Sequence, residues 1–273
     1  NGRYFLAKVG HFLLHDEMTR VNMDFTQDVC YQGLFHLADA LQEEKPAGLA
    51  VFGNWPTIYP ALSQLPAPAK ESWFAFDHYD SDAAFDAALP YIFASSPTNL
   101  YDVGGNTGKW SLRCCRYDEN VAVTILDLPQ QIALAQENIA KAGFSHRIAF
   151  HAVDMLSPAT LPGDADVWWM SQFLDCFSPD QIVAMLTRVA QAMKPGARLC
   201  IMELFWDAQK FEAASFSLNA TSLYFTCMAN GNSRFYSVEK FYRYLESAGF
   251  SVEQRLDNLG VGHTLLICTK REQ

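Results

Sequence analysis

From residue 98 onward, short apolar segments alternate with segments of helical spacing, and this rhythm limits the folds open to the chain. The first five apolar segments span residues 99–105, 121–128, 147–154, 166–174 and 198–204. Strands that alternate with helices form a mostly parallel sheet, because each parallel crossover needs a helix. Two late segments, 250–256 and 264–269, are separated by DNLGVGH and look like a hairpin. We therefore predict a doubly wound α/β fold with an antiparallel last strand.

The first 95 residues lack this alternation. Residues 3–14 (RYFLAKVGHFLL) alternate and then become apolar, which favours a strand followed by the start of a helix. Residues 17–45 have helical spacing, and residues 46–70, rich in Pro, Ala and Gly, predict an irregular connection. Residues 71–95 predict a helix with an aromatic stripe, which is more often core or a subunit interface than a ligand site. We place the domain boundary between residues 95 and 96.

Charge is unevenly distributed along the chain. The formal net charge is −10, from 30 acidic and 20 basic residues. Residues 1–90 hold 12 acidic and 5 basic residues, so this front region carries −7 of the total. An acidic front region repels a phosphate backbone, and no basic stripe elsewhere compensates. Nucleic acid is therefore not expected as a partner.

The seven cysteines and seven histidines indicate neither a disulfide framework nor a metal site. The cysteine count is odd, no CxxC pair is present, and the histidines form no HExxH or Cys/His cluster. No apolar run reaches the roughly 18 residues that a membrane helix needs, and no basic, apolar leader opens the chain. We expect a cytoplasmic protein without metal or membrane contact. Because the chain starts without Met in strand-like sequence, we also expect it to be N-terminally incomplete.

Acidic residues follow three successive strands where each strand ends. The first strand runs into the glycine loop DVGGNTG (102–108), Asp127 ends the second, and Asp154 with Met155 ends the third. Glycines let a ligand approach the backbone, and the following helix N-terminus offers free N–H groups. A carboxylate at Asp127 suits both ribose hydroxyls, while an acid and a soft apolar side chain suit the edge and face of adenine. No Walker Lys-Ser/Thr pair is present, so we predict an adenine nucleoside without a polyphosphate.

These segments resemble the S-adenosylmethionine-dependent methyltransferases, and more narrowly the small-molecule O-methyltransferases of the caffeate and acetylserotonin type, in a bacterial form. The resemblance covers nearly the whole chain and is carried by YDVGGNTG, ILDLP, HAVDML, FLDCFSPDQ, KPGARLCIMEL and NGNSRFYSVEKFYRYLESAGF. It implies a Rossmann-like class I methyltransferase domain at 96–273, preceded at 1–95 by the remainder of a winged-helix and helical dimerisation region. It also implies a homodimer, S-adenosyl-L-methionine as cofactor and S-adenosyl-L-homocysteine as product.

The resemblance assigns cofactor contacts residue by residue. It implies four of them directly: Gly104, Asp127, Asp154 and Met155. Ser171 stands where plant members of the family have a lysine near the cofactor, and we include it in the cofactor site. Asn106 replaces a glycine of the family loop, and asparagine tolerates a positive φ better than most residues.

The catalytic positions depart further from the family. Asp175 stands in the position of the family's catalytic His, Glu203 matches one of two acids that orient that His, and Ser233 replaces the second acid. Removing a phenol proton costs about 5 kcal/mol with His and about 8 kcal/mol with an unperturbed Asp, from the differences between their pKa values. Burial beside Glu203 could raise a carboxyl pKa enough to close most of that gap. Asp175 is thus a base, a hydrogen-bonding group that orients the substrate, or a helix cap, and Glu203 is a catalytic acid or a capped strand end.

The leading functional hypothesis is methyl transfer from S-adenosylmethionine to a small aromatic acceptor, most simply a phenolic oxygen. Two alternatives stay open: methylation of a ring carbon in a phenol, and a catalytically silent cofactor-binding partner or sensor. A winged-helix transcription factor is a third, weakened by the acidic front region.

Overall fold

The computed structural model describes residues 2–271. Its contacts form two compact units. The first contains the chain up to Asp80 together with Leu223–Gly231, and the second contains Ser81–Ser222 with the chain from Asn232 onward. The predicted boundary at residues 95 and 96 lies beyond the change of unit at residue 80. No helix within the described residues is both long enough and apolar enough to cross a membrane.

A seven-stranded sheet organises the second unit. Its strands are β1 Asn99–Val103, β2 Ala122–Asp127, β3 Ile148–Ala152, β4 Val167–Ser171, β5 Arg198–Glu203, β6 Phe250–Leu259 and β7 His263–Lys270. Their order is β3-β2-β1-β4-β5-β7-β6. Strands β1 to β5 pair in parallel, whereas β7 is antiparallel to both β5 and β6. The predicted mostly parallel sheet with its antiparallel last strand is confirmed.

Helices cover the sheet where the sequence spacing predicts them. They are α5 Lys109–Tyr117, α6 Pro129–Ala142, α7 Pro179–Ala192 and α9 Val238–Ser247. Helix α7 begins with a capping box, in which the Ser178 hydroxyl accepts the Gln181 N–H and the Gln181 side chain accepts the Ser178 N–H. This cap fixes where the turn after β4 ends and the helix starts.

The two faces of the sheet bury separate apolar clusters. Trp168 and Trp169 are neighbours on β4, so their side chains point to opposite faces, and each belongs to a different cluster. Trp169 stacks on Trp110 of α5 with the ring centroids 3.9 Å apart. A continuous apolar strand buried on both faces is typical of a central parallel strand. Strand β4 is therefore held at the centre of the sheet by packing on both of its faces.

The first unit is helical. It holds α1 Lys8–His15, α2 Glu17–Phe25 and α3 Leu37–Glu43, and the π-helical turns Thr26–Cys30 and Phe225–Ala229. The strand predicted within residues 3–14 is wrong, because residues 3–7 form no regular structure and α1 follows them. Their alternation had suggested a strand, but β1 is the first strand in the described part of the chain. The winged-helix assignment of this region stays a prediction.

Two long helices belong to both units. Helix α4 spans Ala67–Ile92 and α8 spans Glu212–Tyr224. The first half of α4 packs in the first unit, where Phe76 stacks on Phe25 with centroids 4.0 Å apart. Its second half joins the second unit, since Ala88 and Leu89 lie in the cluster that holds Trp169. Two residues of the aromatic stripe, Phe85 and Phe93, also belong to that cluster, whereas Tyr91 is exposed.

Candidate functional site

The glycine loop after β1 has the backbone that close ligand approach requires. Gly104 and Gly108 have φ values of 71° and 79°, and Asn106 has a φ of 48°. A Cβ on Gly104 would lie 2.3 Å from the Phe173 ring, and one on Gly105 would lie 2.9 Å from the Asp102 carboxyl. Any residue larger than glycine is therefore excluded at both positions. The expectation that Asn106 takes a positive φ is confirmed.

Asp127 ties this loop to the end of β2. Its carboxylate accepts the Asn106 N–H at 2.9 Å and the Leu128 N–H at 2.7 Å. Burial raises its pKa to about 6, although both backbone N–H groups oppose that rise. Two ordered donors hold the carboxylate in one orientation while leaving lone pairs available. This is the geometry expected of a group that receives hydroxyl hydrogen bonds.

Asp102 is a site residue to which the sequence analysis gave no role. It is buried, it accepts a hydrogen bond from the Ser111 hydroxyl at 2.6 Å, and burial raises its pKa to about 7. The nearby charge of Asp127 adds to that rise. Its position, two residues before the glycines at the end of a buried strand, is the sequence signal that could have identified it.

Asp154 and Met155 lie in the loop that follows β3. The exposed Asp154 carboxylate accepts the Leu156 N–H at 2.8 Å and so caps the turn. Met155 is buried in the cluster that contains Trp168, and its carbonyl accepts a hydrogen bond from Arg188 at 2.6 Å. Both residues thus lie at the expected edge of the sheet. Their contact with an adenine ring stays a prediction.

Glu203 holds the turn that carries Asp175. The turn Leu174–Cys176 follows β4, and Glu203 stands at the end of the neighbouring strand β5. Glu203 Oε1 accepts the Phe173 N–H at 3.1 Å and the Leu174 N–H at 2.9 Å. Its other oxygen, Oε2, is buried and has no hydrogen-bond partner among the described residues. Glu203 therefore fixes this turn and keeps one oxygen available.

The two acids Asp175 and Glu203 influence each other. They are 5% and 2% exposed, so neither charge is well hydrated. Burial, and then the negative charge of Asp175, raise the pKa of Glu203 well above its usual range. Glu203 therefore keeps its proton to a higher pH than an ordinary glutamate. Such an unequal pair of carboxyl groups can hold and release a proton.

Two further side chains near Asp175, those of Cys176 and Tyr236, had no role in the sequence analysis. The Cys176 thiol donates to Asp175 Oδ1 at 3.4 Å. Tyr236 donates to the Phe177 carbonyl at 2.6 Å, and burial raises the pKa of its hydroxyl. Ser233, which replaces the family's second acid, is buried. No part of the sequence pattern predicts these contacts, because they join residues up to 59 positions apart.

Strand order brings the predicted site residues to one edge of the sheet. Gly104, Asp127 and Ser171 lie at the carboxyl ends of β1, β2 and β4, and Glu203 ends β5. The Ser171 hydroxyl oxygen is buried without a partner among the described residues. In that part of the chain no group of His, Cys, Asp and Glu side chains could hold a metal ion. The arrangement offers a glycine cradle on one side and a buried acid pair on the other.

Sequence comparison connects this arrangement to known proteins. The chain is 28% identical over 236 residues to the N,N-dimethyltransferase OxyT of Streptomyces rimosus, covering 86% of this chain and 66% of that protein. It is 33% identical over 128 residues to the 3-hydroxy-5-methyl-1-naphthoate 3-O-methyltransferase of Streptomyces sahachiroi, covering 46% of this chain and 37% of that protein. The chain therefore spans less than two thirds of the length of these relatives.

Structural comparison and a family model extend the match. The solved structure of PigF with SAH superposes with a TM-score of 0.78 at 20% identity, covering 99% of this chain and 80% of that one, which shows a shared fold. The sequence model of the O-methyltransferase domain matches residues 34–251. That range is well over half of the chain and includes the glycine loop, Asp127, Asp175 and Glu203. The chain belongs to the O-methyltransferase domain family.

Proposed function

We propose that this chain is an S-adenosylmethionine-dependent methyltransferase that methylates a phenolic oxygen on a small aromatic acceptor. The observation that carries the proposal is the position of Asp175. It is a buried acid on a turn fixed by Glu203, at the same sheet edge as the glycine loop and Asp127. Family membership supports the reaction class, and the naphthoate relative supports an aromatic acceptor.

The residues present fit the cofactor. When bound, S-adenosylmethionine supplies a methyl group activated by a positively charged sulfur. Gly104 and Gly105 leave room for close approach, and Asp127 presents an ordered carboxylate to a ribose. Asp154 and Met155 follow β3, next to β2 in the sheet, where the adenine would then lie. The ends of β1 and β4 are left for the methionine portion, and Ser171 stands there.

Asp175 would accept the proton that the acceptor loses. An unperturbed Asp is a weaker base than His toward a phenol by about 2.6 pKa units, or roughly 3.5 kcal/mol. Removing general-base help altogether costs about 10²–10⁴ in rate, so alignment of the acceptor with the methyl group must supply much of the catalysis. The proton held by Glu203 keeps the pair from carrying two negative charges. The acceptor oxygen therefore meets one negative charge at Asp175.

Methylation of an amine nitrogen is a second candidate. The relative that matches the largest share of this chain among those described above is an N,N-dimethyltransferase. A neutral amine attacks through its lone pair and needs no base beforehand, and the methylated ammonium then gives its proton to Asp175. A weak base is sufficient for that order of events.

A pooled panel of phenols and aromatic amines, incubated with the protein and S-adenosylmethionine, tests these candidates. Mass spectrometry should detect an acceptor heavier by one methylene group, and its NMR spectrum should show the new methyl group on oxygen. A methyl group on nitrogen or on a ring carbon would replace the phenolic assignment. Calorimetric binding of the cofactor without any product would support the silent sensor instead.

We also propose that the protein is a cytoplasmic homodimer that pairs through its first unit. Helix α1 buries none of its residues, and the segment around it exposes Phe5, Val9 and Leu14 by 88%, 70% and 61%. Exposed apolar surface of this kind marks association sites. None of the seven cysteines forms a disulfide within residues 2–271, which supports a reducing compartment. Light scattering after gel filtration should give twice the chain mass, and Val9→Asp should lower it.

A further inference from the structure

The residue between Ser171 and Phe173 has a conformation that its side chain does not favour. Gln172 has a φ of 44°, in the left-handed region where glycine and asparagine are preferred. Its backbone is held there, because the Gln172 N–H donates to the Met202 carbonyl at 3.0 Å. Glycine would adopt this backbone without strain. A glutamine at such a position indicates that the side chain itself has a use.

The amide oxygen of Gln172 lacks a hydrogen-bond partner. Gln172 Oε1 is buried and makes no hydrogen bond with any described residue. A buried carbonyl oxygen is costly to leave unpaired, so it is normally satisfied by protein, water or ligand. An amide oxygen only accepts, and therefore the missing partner must donate an N–H or O–H group. The neighbouring Ser171 hydroxyl oxygen is also buried without a partner in the described chain.

Sheet order indicates which part of a ligand reaches this point. Strand β4 pairs with β1, where Met170 lies opposite Val103, so residues 171–173 stand beside the glycine loop. The contact between Phe173 and the space above Gly104 confirms that closeness. With adenine at β3 and ribose at β2, the methionine portion of the cofactor lies at β1 and β4. Its α-ammonium group is the cationic N–H donor of that portion.

We propose that Gln172 binds the α-ammonium group of S-adenosylmethionine through its amide oxygen. The inference rests on the proposed function, since it takes the cofactor from there. The carboxylate of Asp127, whose pKa of about 6 leaves it mostly ionised at neutral pH, favours a cation at this edge. Gln172 is thus a binding residue whose unfavourable φ is maintained by its bond to β5. A donor group on the acceptor has the same chemistry, and the experiment separates the two sources.

Calorimetry with two probes tests the proposal. S-adenosylhomocysteine carries the α-ammonium group, whereas 5′-methylthioadenosine has the same nucleoside and thioether without it. In Gln172→Gly we expect the Kd of S-adenosylhomocysteine to rise about 10- to 100-fold, as for a lost hydrogen bond to a charged group. The Kd of 5′-methylthioadenosine should stay within about twofold. The thermal midpoint should not fall, because glycine relieves the backbone.

Two further variants keep the result interpretable. Ser96 is exposed and has a φ of 49°, so Ser96→Gly relieves a similar backbone away from the site and should change neither affinity. If glycine prevents folding, Gln172→Asn provides the test. It keeps the amide and tolerates the left-handed region, but its shorter side chain should weaken the binding of S-adenosylhomocysteine selectively. Unchanged S-adenosylhomocysteine affinity, or equal loss for both probes, would overturn the role of Gln172. If the unmodified protein binds neither probe, the proposed function itself fails.

Discussion

The site has two parts: the cofactor half, at the ends of β1 to β3, and the acceptor half, formed by Glu203 and the turn that carries Asp175. The two parts differ in how closely they match the family and in how their side chains are held. At β1 to β3 the sequence follows the family pattern except at Asn106, and the Asp127 carboxylate is satisfied by nearby backbone, including the Asn106 N–H. At β4 and β5 the resemblance places Asp175 where the family has its catalytic His and Ser233 where it has an orienting acid, and Gln172 has a left-handed backbone. Buried oxygens without partners occur here at Ser171, Gln172 and Glu203, within the described residues.

This difference indicates where function has diverged within the fold. A common cofactor demands the same geometry in every member, so the half of the site that holds it has little freedom. The half that receives the acceptor must match a different molecule in each enzyme. Unpaired buried oxygens are tolerated at β4 and β5 because a bound cofactor or acceptor can satisfy them. The comparison predicts that Asp127 governs cofactor affinity and Asp175 governs turnover, whereas Ser171 and Gln172, at the end of β4, serve the methionine portion of the cofactor.

Asp127→Ala should give the largest effect. It removes both the bonds that hold the glycine loop and the carboxylate proposed for the ribose, so the Kd of S-adenosylhomocysteine should rise more than about 100-fold. Calorimetry measures this change directly. Asp175→Ala is the matched control from the other half and should keep the Kd within about twofold. Equal weakening by both variants would break the division of the site into halves.

Asp175→Asn should affect turnover and spare the cofactor. The amide has the same shape but cannot accept a proton, so kcat with the acceptor identified in the panel should fall by about 10-fold or more. The Kd of S-adenosylhomocysteine should not change. Rates that equal those of the unmodified protein would reject Asp175 as the base. Asp175→His combined with Ser233→Glu sharpens this test, because faster phenol methylation would mean that the natural site serves other chemistry.

Much of the cofactor half could be predicted from the sequence because its signals are local and periodic. Helix α6 has the predicted bounds 129–142, and β5 differs from its predicted range by one residue. The glycine loop, Asp127 and Asp154 lie at or just after the ends of their strands, so strand order alone brings them together. An acid two residues before a glycine pair at a strand end is also a signal for a site, as Asp102 shows.

The part of the site at β4 and β5 depends on contacts between distant residues, which no local pattern encodes. Glu203 caps N–H groups about 30 positions earlier in the chain, and Gln172 takes its φ from a bond to β5. The strand prediction at residues 3–7 is wrong for a related reason. Alternation produces a strand only when another strand is available to pair with it. Likewise, Leu223–Gly231 joins the first unit through packing that the linear sequence does not reveal.

If Asp127 binds the ribose as proposed, its pKa of about 6 should make cofactor binding depend on pH. Below about pH 6 the carboxyl is increasingly protonated and loses an acceptor, so affinity should fall up to about tenfold per pH unit. Its pKa is raised in the folded state, so its contribution to the free energy of unfolding is present below about pH 4 and is lost as pH rises through about 6. The rise in thermal midpoint caused by S-adenosylhomocysteine should therefore grow between about pH 5 and pH 7. In Asp127→Asn the increase of this rise with pH should be much smaller. A pH profile identical to that of the unmodified protein would assign the pH dependence to Asp102.

Glu203→Gln should give the smallest effect and is the sharpest test of the acid pair. Because burial and Asp175 raise the Glu203 pKa well above its usual range, the natural side chain carries a proton that the amide imitates. The amide oxygen can still accept the Phe173 and Leu174 N–H groups, so turnover should change by less than about fivefold. Glu203→Ala leaves those two donors without a partner and should lower the free energy of unfolding by about 1–3 kcal/mol in urea denaturation. If Glu203→Gln instead loses turnover as completely as Asp175→Asn, the working group at Glu203 is an ionised carboxylate. Asp175 and Glu203 would then both be charged, and the acceptor half would differ from the cofactor half in geometry and not in protonation.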